Sequence, residues 1–448
     1  MSFPRYESYK DSGVEWLGEV PEHWVITRLK SVLSEPLMYG ANESAEGDNP
    51  ENPRFIRITD IVDNNTLRDD TFRSLSPEVA APYILNDGDV LLARSGATVG
   101  KSFIYKAELG KCCFAGYLIR AKLNGEKIHP SFFYACCQTK FYWQFINGNQ
   151  IQATIQNVSA EKYVNFSFPC PPLSEQQTIA AFLDRETAKI DALIAEQHRL
   201  IELLKEKRQS VISHAVAKGL NPNAPMKDSG VEWLGDVPEH WELKATKRLF
   251  RLVVEPAPDD NDHELLSIYT AIGVRPRKEL EEKGNKATTT NGYWMVKKGD
   301  LIVNKLLAWM GAIGISNYDG VTSPAYDILR QRLPLEPRYY DFLFRCGVCF
   351  SEFRRYSRGI MDMRLRLYFD ELGQLYMPYP SKVEQNEIVS FLESELYKFD
   401  PLIAETQLAI SLLQERRTAL ISAAVTGKID VRGLVSAKTE VKAETVPC

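Results

Sequence analysis

The sequence predicts an α+β protein in which two globular domains are joined by two long antiparallel coiled-coil helices, with a pseudo-twofold internal repeat. Three observations support this prediction. Two segments each occur twice in the same order. The stretches between them have mixed strand and helix character. The second repeated segment has apolar residues at alternating steps of four and three. At 448 residues the chain is also long enough for two domains.

The two repeated segments establish the internal duplication. Residues 10–24 are KDSGVEWLGEVPEHW and residues 227–241 are KDSGVEWLGDVPEHW, with fourteen identities in fifteen at an offset of 217. The second segment begins at Glu175 and again at Glu384, and half of its positions match at an offset of 209. Chance does not produce two such matches in the same order, so each half is one copy of a common unit.

Between the repeated segments the two halves diverge, apart from GDVLLARSGATVG from Gly88 and GDLIVNKLLAWMG from Gly299. Short apolar runs flanked by Gly, Asn and Asp are typical of strands. Longer aromatic stretches favour helices. The predicted strands are residues 55–62, 90–93, 102–105, 265–269 and 300–303, and the predicted helices are residues 131–145 and 338–356. Each half therefore contains one α+β domain of about 150 residues.

The segments after Glu175 and Glu384 indicate helices of coiled-coil type. Seven of ten positions in the four-three series are apolar in each copy, and polar residues interrupt both series at the same places. Asp400 and Pro401 resemble an N-cap and first turn, so we expect a short helix followed by one of about 27 residues from Asp191 or Asp400. Each helix needs an apolar partner, so we expect the two to pack on each other. The residues assigned to helix or partner packing are Ile190, Leu193, Leu200, Leu204, Val211, Phe399, Leu402, Leu413 and Leu420.

Composition narrows the class of protein. The chain is 44% hydrophobic, has no apolar stretch long enough to cross a bilayer, and begins with MSFPRYESYKDSG, which contains no apolar signal core. We therefore expect a cytoplasmic protein.

Adjacent cysteines such as Cys112 and Cys113 fit poorly with a disulfide framework, so free and mostly buried thiols are expected. The CxxC at Cys346 and Cys349 has no second ligand pair at zinc spacing, and no metal site is expected.

Two motifs resemble catalytic elements but lack a required feature. In RSGATVGKS, residues 94–102, three residues separate the glycines where a phosphate-binding loop requires four. The second copy has KLLAWMGAI there, without Lys or Ser. Pro258 and Asp259, followed by Glu281, Glu282 and Lys283, resemble a nuclease PD…ExK pattern, but these polar stretches favour a solvated surface. No adenine-methyltransferase [DN]PP[YF] element is present either.

The PEHW element recurs as His23 and Trp24 in the first copy and as His240 and Trp241 in the second. Repetition alone would suggest a catalytic role for the histidines. Aromatic and proline residues where a domain begins more often form a structural clasp, and we expect a clasp here.

Two segments that precede the helical repeats suit base recognition. They are NGNQIQATIQN, residues 147–157, and RRYSRGIMDMRLR, residues 354–366. Amide side chains suit adenine edges and arginine suits guanine, and Asn157 and Arg366 occupy the same repeat position. The candidate DNA-binding residues are Arg94, Gln150, Gln152, Gln156, Asn157, Lys305, Arg354, Arg355, Arg358, Arg364 and Arg366. A polar surface loop beside a helix is the alternative.

Taken together, these elements resemble the specificity subunit of type I restriction-modification systems. The resemblance covers nearly the whole chain. It rests on YKDSGVEWLGEVPEHW and its second copy, the GD…G signatures, the CPPLSEQQ and YPSKVEQ junctions, and the helix ends AVAKG and AVTGKID. It implies two target-recognition domains, each recognising one half of a split asymmetric DNA site, and a helical spacer that sets the gap. In that scheme residues 1–170 and 221–380 are the recognition domains, 171–220 and 381–432 are the conserved helical spacers, and 433–448 are a disordered tail.

The resemblance also implies partners and cofactors. Two methyltransferase subunits dock on the helices and methylate adenine with S-adenosylmethionine, and motor-nuclease subunits use ATP and Mg²⁺. None of these cofactors is expected on this chain, which by itself is not an enzyme. Partners can contribute phosphate contacts, which reconciles DNA binding with a net charge of −5. Family base contacts do not transfer residue by residue, because recognition domains vary too much.

Two other classes of function remain open from the sequence. The first is an assembly scaffold whose globular modules bind protein, which the low pI of about 5.9 favours. The second is a nuclease or nucleotide-binding enzyme, which the incomplete motifs alone favour. Protection of one bipartite DNA site would exclude the scaffold, and unaltered activity after Lys101→Ala and Glu282→Ala would exclude the enzyme.

Overall fold

The computed structural model describes residues 3–44, 46–62, 65–96, 98–149, 157–270, 272–279, 290–359 and 365–434. The chain divides into two compact units. Unit 1 consists of Met1–His198 with Leu408–Cys448, and unit 2 of Arg199–Gln407. Both long helices, Leu173–Lys218 and Phe399–Val425, cross this division, so each unit contains part of each helix. Most of the predicted tail lies outside the described residues.

Unit 1 has mixed helix and strand content around an antiparallel sheet. The neighbouring strands of this sheet are, in order, Met38–Tyr39, Leu118–Ala121, Val90–Ala93 and Ser102–Ile104. Paired strands outside it are Tyr9–Asp11 with Glu19–Pro21, Val25–Arg28 with Ser167–Cys170, Ile61–Val62 with Thr66–Leu67, and the parallel pair Arg54–Ile56 with Cys112–Phe114. The shorter helices are Leu29–Val32, Pro77–Ala80, Pro130–Cys136, Lys140–Asn149 and Ala160–Tyr163, with 3-10 turns at Ala81–Tyr83 and Ala107–Leu109.

Unit 2 repeats this plan. Its sheet has neighbouring strands Phe250–Val253, Tyr326–Gln331, Leu301–Asn304 and Ile313–Ile315, in that order. Paired strands outside it are Met226–Asp228 with Asp236–Pro238, Glu242–Ala245 with Tyr376–Tyr379, Leu266–Tyr269 with Gly273–Pro276, and Trp294–Val296 with Gly320–Thr322. The shorter helices are Thr246–Leu249, Pro337–Phe344, Gly347–Tyr356, Phe369–Leu372 and Lys382–Leu396, with 3-10 turns at Arg277–Glu279 and Ala308–Met310. Both divergent halves therefore share one sheet order.

Three predicted elements are interrupted. Residues 55–62 form two strands, because Arg57 and Asp60 close a turn with a 2.7 Å ion pair. The predicted helix 131–145 is two helices, and at the break the Thr139 hydroxyl donates to Cys136 O at 2.7 Å. Its counterpart 338–356 breaks after Phe344, so both copies turn at the same repeat position.

The two helical repeats differ in continuity: one is a single helix and the other is two helices. In the second copy a short helix ends at Leu396 and a 27-residue helix begins at Phe399, which confirms the break predicted from Pro401. In the first copy the predicted break at Asp191 is wrong, because one helix of 46 residues runs from Leu173 to Lys218. Ala192 occupies the position of Pro401 in the first copy, and alanine retains the N–H that a continuous helix needs.

Of the nine residues predicted to form the apolar seam, six are buried or half-buried and three are exposed. Ile190 is buried, and Leu204, Val211, Phe399, Leu413 and Leu420 are half-buried. Leu193, Leu200 and Leu402 are 50%, 42% and 46% exposed, while Ile194, Ile201 and Ile410 are buried instead. Apolar residues stand at both Leu193 and Ile194, so a step of three or four from Ile190 fits the sequence equally well. Packing buries Ile194 and leaves Leu193 exposed.

Two equivalent glutamines, Gln176 and Gln385, fix the start of each helical repeat to its own unit. The Gln176 side chain accepts a hydrogen bond from His129 N and donates one to Pro171 O, both at 2.8 Å. Gln385, at the same repeat position, accepts from Glu336 N at 2.8 Å and donates to Pro380 O at 2.9 Å. Both amides are fully buried, and buried polar groups require such partners. None of the helices that the structure describes combines the length and apolarity needed to cross a membrane.

Candidate nucleic-acid interface

The GD signature of each variable half forms a buried turn before a central strand. The Asp89 carboxylate accepts a hydrogen bond from Asn86 N at 2.9 Å, and Asp300 accepts one from Lys297 N at the same distance. Burial raises the pKa of the Asp89 carboxyl. Asp300 is also bound by Arg330 through two hydrogen bonds of 2.8 Å. These aspartates position the following strands, whose ends carry the predicted contact residues.

In unit 1 the structure brings together Arg94 and Asn157, which are 63 positions apart. Arg94 follows the strand Val90–Ala93, and its carbonyl accepts a hydrogen bond from Val158 N at 2.8 Å. The adjacent residue Ser95 forms a bridge with Asn157. We call Arg94 and Asn157 the strand-end cluster of unit 1.

The side chains of this cluster have unused polar atoms. The Arg94 guanidinium lies 4.6 Å from the ring centroid of Tyr39. Arg94 Nε and Asn157 Oδ1 are buried and make no hydrogen bond within the described part of the chain. Buried polar groups without partners are costly, so an arginine donor and an amide acceptor held in one place indicate a site that a ligand completes.

Unit 2 has an equivalent arrangement. Lys305 follows the strand Leu301–Asn304, and its carbonyl accepts a hydrogen bond from Leu367 N at 2.8 Å, as Arg94 does from Val158. Arg358 and Arg366 exchange backbone hydrogen bonds of 2.9 Å in each direction. We call Lys305, Arg358 and Arg366 the strand-end cluster of unit 2. The same backbone link therefore joins two distant segments in both copies.

The remaining predicted residues lie around the cluster of unit 2. The guanidinium of Arg354 is 5.3 Å from the ring centroid of Trp309, and Arg358 pairs with Glu371. Arg355 is exposed and pairs with Glu232 at 3.2 Å. Lys305 Nζ lies 3.3 Å from Asp327. Gln150, Gln152, Gln156 and Arg364 fall outside the described residues.

Two features near these clusters, and a third elsewhere in unit 2, were not predicted from the sequence. Tyr117 is 65% exposed, and its carbonyl accepts a hydrogen bond from Arg94 N at 3.0 Å. The loop after Lys305 presents exposed apolar side chains at Leu306 and Leu307. A depression of about 700 Å³ in unit 2 is lined by several cations, and LKATKR was the available sequence signal for it. Its lining residues are Leu243, Lys244, Ala245, Lys247, Arg248, Arg332, Leu333 and Tyr376.

The repeated PEHW element forms the expected clasp. His23 Nε2 lies 2.8 Å from Glu175 Oε2, and Trp24 Nε1 donates to Glu175 Oε1 at 3.1 Å. The Tyr6 hydroxyl donates to the same oxygen at 2.5 Å, and burial raises its pKa. In unit 2, His240 and Trp241 contact Glu384 at 3.0 and 2.9 Å. Each clasp therefore holds the start of its unit against the first turn of the helical repeat.

The incomplete motifs have structural positions. Lys101 Nζ donates to Ile61 O at 2.9 Å, so it holds a loop in place. Glu281, Glu282 and Lys283 lie outside the described residues. Cys346 and Cys349 are free, with their sulfurs 3.8 Å apart. Among the described residues, no group of three or more His, Cys, Asp or Glu side chains is placed to hold a metal ion.

Comparison with known proteins finds similar chains of one kind. A model described as the type I restriction modification DNA specificity domain matches residues 21–203. The EcoBI type I restriction enzyme specificity subunit of Escherichia coli is 22% identical over 444 residues, which cover 94% of this chain and 89% of that protein. The chain is therefore similar over most of its length to a specificity subunit of a type I restriction enzyme. The EcoKI specificity subunit of Escherichia coli K12 is a further relative, 28% identical over 207 residues and covering 44% of each chain.

Two solved structures have a similar fold. The HsdS subunit from Thermoanaerobacter tengcongensis superposes with a TM-score of 0.51 at 16% identity, covering 91% of this chain and 98% of that chain. A chain from a structure concerned with complex assembly and conformational transition of the type I R-M system has a TM-score of 0.60, with the same identity and coverage. The similarity of fold therefore extends over most of this chain and nearly all of each of the two solved chains.

Proposed function

We propose that this chain is the non-catalytic subunit that selects the DNA sequence for a type I restriction-modification complex, with unit 1 and unit 2 each recognising one half of a bipartite asymmetric site. The observation that supports this most directly is the equivalent link in the two units. Arg94 O and Lys305 O each accept a backbone hydrogen bond from the residue that follows Asn157 or Arg366. The same backbone link thus presents different side chains in the two units.

The chemistry of these side chains suits base edges. Arginine donates two hydrogen bonds to O6 and N7 of guanine, and asparagine pairs with N6 and N7 of adenine. Asn157 and Arg366 hold the same repeat position, so the two halves of the site differ there. The unpartnered Arg94 Nε and Asn157 Oδ1 are satisfied by the bound base pair in this proposal.

Phosphate contacts come from both this chain and its partners. The net charge of −5 opposes a polyanion over long distances, but several cations of unit 2 lie close to one strand end. Lys305, Arg354, Arg358 and Arg366 surround the strand end of that unit. Phosphate contacts position the protein, while base contacts specify the sequence.

The two long helices form the antiparallel coiled coil that sets the distance between the half-sites. Within unit 1, Arg417 Nε lies 2.9 Å from Asp191 Oδ1, and within unit 2, Arg208 lies 2.8 Å from Asp400. The buried residues Ile190, Ile194 and Ile201 follow steps of four and seven, as expected for one face of a paired helix.

Exposed leucines on these helices provide the docking surface for two methyltransferase subunits. Leu193 and Leu402 occupy the same repeat position, as do Leu203 and Leu412, and all four are exposed. Matched apolar surfaces on a duplicated chain favour two copies of one partner. Methyl transfer with S-adenosylmethionine, and cleavage with ATP and Mg²⁺ by motor-nuclease subunits, then belong to the partners.

The decisive experiment is single-molecule methylome sequencing of a host that expresses the neighbouring methyltransferase with and without this chain. We expect methyladenine in one split motif only when the chain is present. Leu193→Lys/Leu402→Lys should abolish that pattern by preventing assembly, whereas Leu252→Lys, at an exposed leucine of unit 2 away from both helices, should not. Unchanged methylation with a proven assembled complex would contradict the proposal and favour a protein-binding scaffold.

A further inference from the structure

The loop 304–312 of unit 2 presents three apolar side chains to solvent. Leu306, Leu307 and Met310 are 37%, 40% and 50% exposed. Single exposed apolar residues are common on protein surfaces, but three within five positions form a continuous apolar tip. We call these three residues the apolar tip. A loop that only connects two strands does not need them.

The tip is held in one conformation by its own turn. Leu307 N donates to Asn304 O at 3.1 Å, and Ala312 N donates to Leu307 O at 3.0 Å. Gly311 closes the turn with φ +94°, and a Cβ there would lie 2.9 Å from the Phe350 ring. The side chains are therefore presented by an ordered turn, so binding requires little further loss of conformational entropy.

Two cations, Lys305 and Arg354, lie beside the tip. Lys305 precedes it directly, and its carbonyl is linked to the strand-end cluster of unit 2. Trp309, inside the turn, donates to Leu306 O at 3.0 Å and lies beneath the guanidinium of Arg354. An apolar centre with a basic margin complements duplex DNA, in which phosphates flank a stack of apolar base faces.

The equivalent loop of unit 1 has different chemistry. It follows Arg94 in the same way that the tip follows Lys305, and its described residues include Ser95, Gly96 and Thr98. Small and polar side chains there suit hydrogen bonding. The two units thus differ at one topological position, as their two half-sites must.

We infer that Leu306 and Leu307 enter the duplex as an apolar wedge at one base step of the half-site recognised by unit 2. Apolar side chains inserted in this way partly unstack a step and kink the duplex, at least cost at flexible pyrimidine–purine steps. Lys305 and Arg354 hold the flanking phosphates. The second half-site is then specified partly by the deformability of one step. This inference rests on the proposed function.

The test uses the full chain assembled with its methyltransferase and duplexes that carry 2-aminopurine at successive positions of each half-site. We expect its fluorescence to rise several-fold at one step of the unit 2 half-site other than the methylated adenine, which a methyltransferase flips out of the duplex. Leu306→Ala/Leu307→Ala should remove that rise and weaken binding at least roughly tenfold, because the apolar contact is lost. Leu306→Met/Leu307→Met should retain both. Leu252→Ala, at an exposed leucine on the strand Phe250–Val253, is the matched control.

Three outcomes would contradict the wedge. One is specific binding without a rise in fluorescence anywhere in that half-site. Another is a loss of affinity when a thymine is replaced by uracil, which removes its methyl group, while the fluorescence shows no unstacking. The third is an equal effect of the alanine variant on both half-sites. If the unaltered complex showed no sequence preference at all, the proposed function itself would fail, so the two failures are distinguishable.

Discussion

The carboxylate of Asp191 and the guanidinium of Arg417 form an ion pair at 2.9 Å within unit 1. The corresponding pair within unit 2 joins Asp400 and Arg208 at 2.8 Å. Asp400 and Arg417 each lie 209 positions after their counterparts Asp191 and Arg208. Each unit therefore pairs the aspartate of one repeat with the arginine of the other. That exchange is the pattern expected if the two helices pair in the antiparallel arrangement proposed above.

The Asp191–Arg417 pair should contribute modestly to stability. A double-mutant cycle with Asp191→Ala and Arg417→Ala should give a coupling energy between about 0.2 and 1 kcal/mol, because both side chains are partly exposed. Urea denaturation of the full chain measures it. The more exposed pair Glu202 and Lys205 lies within one helix and is the control, with a coupling near zero. Equal coupling in both cycles would show that the Asp191–Arg417 contact has no special role.

The two clasps should differ in strength. Glu175→Gln removes the charge that accepts hydrogen bonds from Tyr6 and Trp24 and should destabilise unit 1 by about 1 to 3 kcal/mol. Glu384→Gln should cost less, because Glu384 is more exposed than Glu175. Thermal unfolding of the two variants provides the comparison. A larger loss for Glu384→Gln would contradict the ranking by burial.

Lengthening the helices should change the gap between half-sites. Inserting about one heptad near Gln197, with a matched insertion near Thr406, keeps the apolar seam in phase and lengthens the spacer. Methylome sequencing should then show both half-sites intact with a longer gap. An insertion near Gln197 alone should impair assembly, because the partner helix is not extended. A preserved gap with altered bases would contradict the role of the helices as a spacer.

Substitution of a residue proposed to contact a base should affect one half-site. Arg366→Ala should weaken binding to the cognate site by about 1 to 3 kcal/mol and relax preference at one position of the second half-site. Arg355→Ala should weaken binding to all sequences alike, since Arg355 is exposed and already pairs with Glu232. Competition binding to single-base variants of the site distinguishes the two. Relaxed preference in the first half-site after Arg366→Ala would contradict the division of labour.

The buried thiols of unit 1 should resist ionisation. Burial raises the pKa of Cys112 to about 11 and that of Cys113 to about 12. Because the folded pKa lies above the unfolded value of about 8.5, the resulting stability is complete below that value and is lost as pH rises towards 11 to 12. Disulfide-exchange labelling at pH 9 should therefore require unfolding for both thiols. Rapid labelling of the native chain at either cysteine would contradict their burial.

The sequence by itself determined the duplication, the strands near residues 90–93, 102–105, 265–269 and 300–303, and the buried state of the described cysteines other than Cys170. These features depend on residue type and on local periodicity, which are visible without coordinates. The break before Phe399 is another such feature, because Pro401 cannot continue a helix. The helix break predicted at Asp191 was wrong, because no proline follows this residue and the helix continues.

Only the tertiary structure decided which apolar residues of the helices are buried. Leu193 and Ile194 fit the periodicity equally well, and packing against a partner selected Ile194. The tertiary structure also brings Arg94 close to Asn157 and Lys305 close to Arg366. These placements depend on backbone hydrogen bonds between segments that are distant in sequence. The apolar tip could not be recognised from sequence for the same reason. A run such as LLAWM has the composition of a core, and its exposure is a consequence of how the surrounding chain folds.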